Sequence, residues 1–257
     1  MFDAHTHADR LAPEALRRAR EHGIQGLIVA GVDPVGWQTQ AEMRHPWVWH
    51  AYGLHPWTVA TMDDEGLASA LDGLRSALDA DPDKVVGVGE TGLDHGKRLS
   101  KESHSRQEVA FRSQIRMARE RHLPLVLHIV RSYSRALAIL REEELPSQGG
   151  MVHSFSGSAE DARALIDQGM HISFSGSITR ANAHRMREAA AVVPLQMLLV
   201  ETDSPDQTPQ GRQPAPNEPA FLIDVIAAVA QARGETPNQI IAATNGNARR
   251  LFRLPNA

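Results

Sequence analysis

Pro124-Leu125-Val126-Leu127-His128 is a short apolar run that stops on an ionisable side chain, and the stretch that follows it, Ser132 to Glu144, has helical periodicity. A near-continuous run suits a parallel strand covered on both faces, whereas a half-exposed strand would alternate apolar with polar. The same unit recurs outward in both directions. Toward the N-terminus lie Met1 to His5, Gly26 to Gly31, Val48 to Gly53 and Val85 to Gly89; toward the C-terminus lie Gly150 to His153, His171 to Phe174 and Met197 to Glu201. Helical stretches separate and follow them: Pro13 to His22, Pro34 to Arg44, Asp63 to Ala80, Lys101 to His122, Ser158 to Gln168, Ala181 to Val192, Pro219 to Arg233 and Pro237 to Leu254. Strand-then-helix repetition builds βαβ units. Eight of them predict an α/β protein with a (β/α)8 TIM barrel, which typically takes ~250 residues; the alternative is a doubly wound open sheet. No internal repeat or linker divides the chain, so residues 1–257 are expected to form a single domain. The one long irregular segment, Ser204 to Glu218, is of the length at which loops are usually functional.

Composition narrows the chemistry. The chain has 257 residues, of which 42% are hydrophobic and 23% charged, enough for a core that needs no disulfide or structural metal. The absence of cysteine excludes a disulfide scaffold, a thiolate nucleophile, a zinc finger and an iron–sulfur cluster. The net charge of −4 argues against polyanion binding through bulk charge, though not against a local basic rim. No apolar run approaches the ~20 residues of a membrane helix, and Met1 to Arg10 carries no signal-peptide pattern. A soluble, cytoplasmic protein with no membrane role and no obligate protein partner is the expectation.

The 13 histidines become informative once placed on this frame. His5 and His7 end the first run, His55 follows the third, Glu90 and Asp94 follow the fourth, His128 and His153 end the fifth and sixth, and Glu201 and Asp203 end the eighth. A barrel brings the C-terminal ends of its strands to one face, where barrel enzymes keep their active sites. The His5-Thr6-His7 spacing places two imidazoles on the same side of a strand. A lone His-x-His is a short motif that chance supplies, but convergence with further His and acidic strand ends turns it into a ligand set. With no cysteine the ligands are N and O donors, suited to zinc, manganese, iron(II) or nickel. Four His with Glu90 and Asp203 exceed the needs of one ion. Two ions sharing a carboxylate would use them all, an arrangement that hydrolyses phosphodiesters and equally esters or amides.

The residues also resemble a known family, the TatD metal-dependent deoxyribonucleases within the amidohydrolase-like barrels. The likeness runs through Asp3-Ala4-His5-Thr6-His7-Ala8-Asp9, Gly53-Leu54-His55-Pro56, Gly87-Val88-Gly89-Glu90-Thr91-Gly92-Leu93-Asp94 and Pro124 to Arg131. It continues through His153-Ser154-Phe155-Ser156-Gly157, Ile172 to Gly176, Glu201-Thr202-Asp203-Ser204-Pro205, Asn217-Glu218-Pro219 and Thr244 to Phe252. The resemblance implies a barrel hydrolase with two divalent ions (Zn, Mg or Mn). His5, His7, Glu90 and Asp203 would hold one, and Glu90, as a bridge, with His128 and His153 the other, while His55 faces the substrate. It implies cleavage of DNA, single-stranded or at ends, as a 3′–5′ exonuclease-like enzyme. Relatives acting on other phosphodiesters or on aminoacyl-tRNA esters supply the alternative, an ester or amide hydrolase such as a D-aminoacyl-tRNA deacylase. Arg131 stands three residues after His128 where the family commonly has an arginine two after. Thr6 and Ser154 replace usual cysteines, and Asp206 replaces an aromatic after Ser204-Pro205.

The expected roles follow. Glu90, Asp203 and His55 form the catalytic group, with Asp203 a ligand or also a proton acceptor. His55, Arg131 and Trp57 are the substrate contacts, Trp57 stacking on a base or else packing in its loop. Lys97, Arg98, Arg180 and Arg212 join Arg131 as cations for phosphates. Asp94 orients or shapes its loop, and Glu201 either reaches the site or pairs with a basic residue of the barrel wall. Trp37, Trp47 and Trp49 pack. His22, His45, His50, His104, His122 and His184 are surface or packing residues, and His95 and His171 stay open.

Overall fold

The computed structural model describes residues 1–255; residues 256 and 257, the end of the expected domain, lie outside the described residues. In chain order the elements are β1 (Phe2–Thr6), α1 (Pro13–Glu21), β2 (Gly26–Ala30), α2 (Pro34–Ala41), β3 (Val48–Tyr52), α3 (Pro56–Ala60), α4 (Asp64–Asp79), β4 (Val85–Asp94) and α5 (His104–Glu120). There follow β5 (Leu125–Val130), α6 (Tyr133–Glu142), β6 (Gly150–Val152), α7 (Ala159–Ile166), β7 (Met170–Phe174), α8 (His184–Val192), β8 (Leu198–Val200), α9 (Leu222–Arg233) and α10 (Pro237–Leu251). The eight strands are all parallel and run β1 to β8 in sequence order. The Asp203 amide donates to the His5 carbonyl at 3.0 Å and the His7 amide to the Ser204 carbonyl at 2.8 Å, so the sheet closes on itself just past the end of β8. The fold is the (β/α)8 barrel, not the open sheet.

Local chemistry sets the helix starts. Asp33 and Asp63 accept from the backbone amides of Gly36 and Gly66, and Ser158–Asp161 and Thr236–Gln239 form capping boxes. The structure corrects the sequence reading in two places. The five-residue α3 was not expected, because it is too short to show periodicity. And β4 runs five residues beyond Gly89, so Glu90 and Asp94 belong to the strand rather than to the loop after it.

The core lies in two shells. Phe2, Ala4, Ile28, Trp49, Ala51, Val86, Val126, Met151 and Leu199 pack with Ala248, Leu251, Phe252 and Leu254 from the end of α10. These strand residues alternate with others, such as Leu125, Leu127, Val152 and Leu198, that pack against the helices. The inward parity continues up the strands: Val126 leads to His128, Met151 to His153, Leu199 to Glu201 and Asp203. β1 breaks the rule, for Phe2 and Ala4 face inward and yet His5 and His7 reach the site. The β1–β2 register shifts between Asp3 and Thr6, and that irregularity changes the parity.

Candidate metal centre

Glu90 stands at the middle of the mouth, 2% exposed. Its Oε2 is 3.6 Å from His5 Nε2 and 3.4 Å from His7 Nε2. Asp203 Oδ1 is 3.5 Å from the same His5 nitrogen and 3.6 Å from that of His7. The other Glu90 oxygen, Oε1, is 2.7 Å from His153 Nε2, 2.9 Å from His128 Nδ1 and 3.3 Å from His55 Nε2. The expected ligands are thus gathered around one carboxylate, with one oxygen turned to each group. Backbone strain accompanies them. Asp203 (φ 58°), Ser154 after His153 (φ 42°) and Arg131 after β5 (φ 54°) are all non-glycine residues in the left-handed region, where functional sites concentrate strain. Gly92 permits the β4–β5 approach, since a Cβ there would sit 2.1 Å from the His128 carbonyl oxygen.

The outer nitrogens of the imidazoles decide what the inner ones offer. His7 Nδ1 faces the Ala30 carbonyl at 2.9 Å, and a carbonyl only accepts, so Nδ1 carries the proton and Nε2 presents a lone pair to the site. His128 Nε2 faces Asp94 Oδ2 at 3.2 Å and His153 Nδ1 stands 3.4 Å from Glu201 Oε1, while the inner nitrogens of both rings face Glu90 Oε1. These carboxylates favour the protonated rings, and an ion seated against Glu90 would displace the inner proton and take the lone pair. His55 is the opposite case: its Nδ1 accepts from the Trp57 amide at 3.0 Å, so its Nε2 bears the proton and is a donor. Neither nitrogen of the fully buried His5 has a hydrogen-bond partner, and neither has Glu90 Oε2. Buried polar atoms are rarely left so. Donors ~2.0–2.2 Å from a tetrahedral ion are ~3.3–3.6 Å apart, the spacing found here around His5, His7, Glu90 and Asp203. The residues fit a divalent ion.

Charge within the cluster is unevenly held. Burial raises the Glu90 carboxyl, but His153 and His55 outweigh it and hold it well below the usual carboxylate range. Burial, reinforced by Glu201 and Glu90, pushes Asp203 well above that range against the pull of His153. Burial takes His55 down to about 4, so it is neutral near pH 7. A cation between these groups would reverse the direction at Asp203.

Around the centre opens a cleft of about 880 Å³ lined by Arg10, Trp57, Lys97, Arg98, Arg131 and Arg180 among others. That is at the upper end of the ~300–1,000 Å³ of ligand sites, with room for more than one bonded group. Elsewhere many arginines pair with acids, as Arg135 does with Glu108 and Arg121 with Asp79, while others, such as Arg20 and Arg187, bond to backbone carbonyls. Among the described residues the mouth cations Arg10, Lys97, Arg98, Arg131 and Arg180 have no carboxylate partner; Arg180 donates to Gln207 and Arg98 lies over the Trp57 ring, 6.0 Å from its centroid.

Several expectations change. Arg212 is not at the mouth: it pairs with Asp224 at 2.7 Å and lies over Phe221. Glu201 finds no basic wall residue; it accepts from the Ser154 amide at 2.7 Å and faces His153, because the inward parity of β8 carries it to the site. Arg10 was missed, although its place in the loop after β1 is the same signal that pointed to Arg131. Thr6 and Ser154, the cysteine replacements, bond to Ser204 and Ser175, both at 2.7 Å. His171 faces the Gly150 carbonyl, and His95 stacks on His104, neither in the cleft.

Imidazoles and carboxylates converging at the C-terminal mouth of a (β/α)8 barrel define the class of metal-dependent barrel hydrolases. Residues 2–253 match the family described as TatD related DNase. The chain is 33% identical to the metal-dependent hydrolase YabD of Bacillus subtilis over 99% of each chain. It is 32% identical to the 3′–5′ ssDNA/RNA exonuclease TatD of Pantoea vagans over 94% of this chain and 93% of that one. The crystal structure of YjjV, a TatD homolog from Escherichia coli, superposes with a TM-score of 0.90 at 31% identity, covering 99% of this chain and 98% of the other. The organophosphorus hydrolase of Deinococcus radiodurans, at 17% identity and a TM-score of 0.67, shares the fold. The chain belongs to the TatD-related DNase family of metal-dependent hydrolases.

Proposed function

We propose that the whole chain, residues 1–257, is one cytoplasmic catalytic unit that hydrolyses phosphodiester bonds at the end of single-stranded DNA, with 3′–5′ polarity, using two divalent ions. His5, His7, Glu90 and Asp203 hold the first, and Glu90, His128 and His153 the second. The observation that carries this reading is the unpartnered His5 nitrogens and Glu90 Oε2 at the centre of the cluster, combined with five mouth cations that have no carboxylate partner among the described residues. Such ions, when bound, polarise a phosphoryl oxygen and lower the pKa of water from 15.7 to about 7. The protein supplies the rest. His55 Nε2–H donates toward a phosphate oxygen, its tautomer set by the Trp57 amide. Asp203, whose Oδ1 faces the same His5 and His7 nitrogens as Glu90 Oε2, is placed to accept a proton from the attacking water. Trp57, 46% exposed, gives a terminal base a stacking face. Arg131, Arg180 and Arg10, none of them in an ion pair with a described carboxylate, neutralise phosphates in a cleft that Asp33 and Asp206 also line. The name of the Pantoea relative supports a nucleic-acid substrate.

The test is chelation followed by addition of Mg, Mn or Zn, with release of mononucleotides followed from single-stranded DNA, duplex DNA and a charged tRNA. Activity on the single strand should vanish on chelation and return with metal, and Glu90→Gln should lower it by a factor of at least a thousand. Undiminished activity in the stripped protein, or turnover of the charged tRNA alone, would overturn the reading.

A further inference from the structure

Asp94 has a placement that loop shaping does not require. Its Oδ1 accepts from the Gly96 amide at 2.6 Å, and Gln107 holds its backbone on both sides, accepting from its amide at 2.9 Å and donating to its carbonyl at 3.2 Å. That is enough to fix the turn. The second oxygen, Oδ2, lies at the junction of two rings: it accepts from Trp57 Nε1 at 2.7 Å and faces His128 Nε2 at 3.2 Å. Trp57 is the exposed aromatic of the cleft; His128 is an imidazole of the inner group. We infer that Asp94 is a positioning residue that fastens the base-stacking indole of Trp57 to the ion-facing imidazole of His128 through one carboxylate oxygen. The platform for an unpaired terminal base and the inner part of the cation site are then set as one unit. The nucleic-acid half of this inference rests on the function proposed above; the link between the two rings does not.

The chemistry of the oxygen makes the link testable. A carboxylate accepts from both ring N–H groups at once, and in doing so keeps a proton on His128 Nε2, so that it is Nδ1 that would give its lone pair to an ion beside Glu90. Asp94→Asn breaks this whichever way the amide turns. Either its NH2 meets the two ring donors, or it meets the Gly96 amide. In the first orientation His128 relieves the conflict by moving its proton to Nδ1, where it blocks the face turned to Glu90; in the second the NH2 clashes with the Gly96 amide and the side chain is pushed from its place between the rings. Trp57→Phe, by contrast, removes the indole but leaves Asp94 pinned by Gly96 and Gln107 and still facing His128.

The experiment strips the full chain with a chelator and titrates it with ZnCl2. Calorimetry reports affinity while tryptophan emission is read, and the Trp57 part is obtained by subtracting the Trp57→Phe signal. In the unmodified protein the Trp57 emission should shift as zinc binds. In Asp94→Asn the shift should disappear and zinc affinity fall by roughly 10–100-fold. Its KM for a single-stranded oligonucleotide should rise roughly tenfold and stay raised at saturating zinc. Trp57→Phe should raise KM similarly with zinc affinity within about threefold of the unmodified protein, the split that separates the two ends of the link. Asp94→Ala, which removes the acceptor without adding a donor, should behave as Asp94→Asn does if the latter fails to fold by circular dichroism. Retention of both zinc affinity and the emission shift in the folded Asp94 variants would overturn the inference, as would recovery of KM on adding zinc. If the unmodified protein cleaves no nucleic acid, the function proposed above falls, while zinc affinity and emission still decide the link.

Discussion

Single side chains carry much of the logic of this protein through their outer atoms. His7, His128 and His153 each face an oxygen on the side away from Glu90, a contact that would leave the inner nitrogen to a bound ion; His55 receives an amide there and becomes a donor. Motifs identified the residue types and their order, but they did not contain the tautomers, which depend on partners tens of positions away. His50 offers a prediction at this scale away from the site. It is buried in β3, stacked on Tyr52 with centroids 5.8 Å apart, and burial, with Lys84 adding to it, lowers its pKa from 6.5 to about 4. The unfolded chain therefore binds the proton more readily between these values. His50 contributes its full stabilising effect above about pH 6.5, and the contribution is lost as pH falls toward about 4, a span worth about 3 kcal/mol. In His50→Phe, which keeps a ring against Tyr52, thermal unfolding should lose less stability between pH 7 and pH 4 than in the unmodified protein. Parallel pH profiles would contradict this.

Elements position these side chains through parity and closure. The ends of β5, β6 and β8 were readable as the places of His128, His153 and Asp203, and the alternation of these strands in the structure takes all three to the inner side. β1 was not readable in the same way, because its irregularity between Asp3 and Thr6 is a property of pairing with β2 and leaves no mark on a five-residue run. The seam between β8 and β1 is held by Asp3, which accepts from the Thr202 amide at 2.9 Å and the Thr202 hydroxyl at 2.5 Å. The opposite end of the barrel is filled by the last turn of α10 and the residues after it, with Phe252 3% exposed among Phe2, Trp49 and Val86. Phe252→Ala should cost about 3–5 kcal/mol in urea unfolding, since the barrel wall cannot collapse into the space. A loss below about 1 kcal/mol would mean that α10 does not close the barrel.

At the scale of the whole molecule, a net charge of −4 conceals a mouth with five cations that, among the described residues, have no carboxylate partner. Binding of single-stranded DNA should weaken as salt rises, as phosphate neutralisation requires. Arg131→Ala and Arg180→Ala should each weaken it at low salt and reduce the slope of log affinity against log salt by about 1. Arg135→Ala, which removes a surface pair with Glu108, should leave the slope unchanged. Fluorescence anisotropy of a labelled oligonucleotide across a salt series measures all three, and a salt-independent affinity would exclude phosphate-led recognition. Arg212 shows why composition and loop position did not settle this: it follows a strand as Arg180 does, yet Asp224 on α9 takes it.

By itself the sequence determined the succession of strands and helices, the inventory of N and O donors without a thiolate, and the end of each strand on which a donor stands. These are local properties, written in periodicity, caps and residue type. Only the tertiary structure decided that the sheet closes, that Glu90 turns one oxygen to His5 and His7 and the other to His128, His153 and His55, and that Glu201 and Asp94 stand behind the imidazoles. Those outcomes depend on register between strands and on contacts across as many as two hundred positions. The hydrogen-bond partner of a ring nitrogen is chosen there, not by its neighbours in the chain.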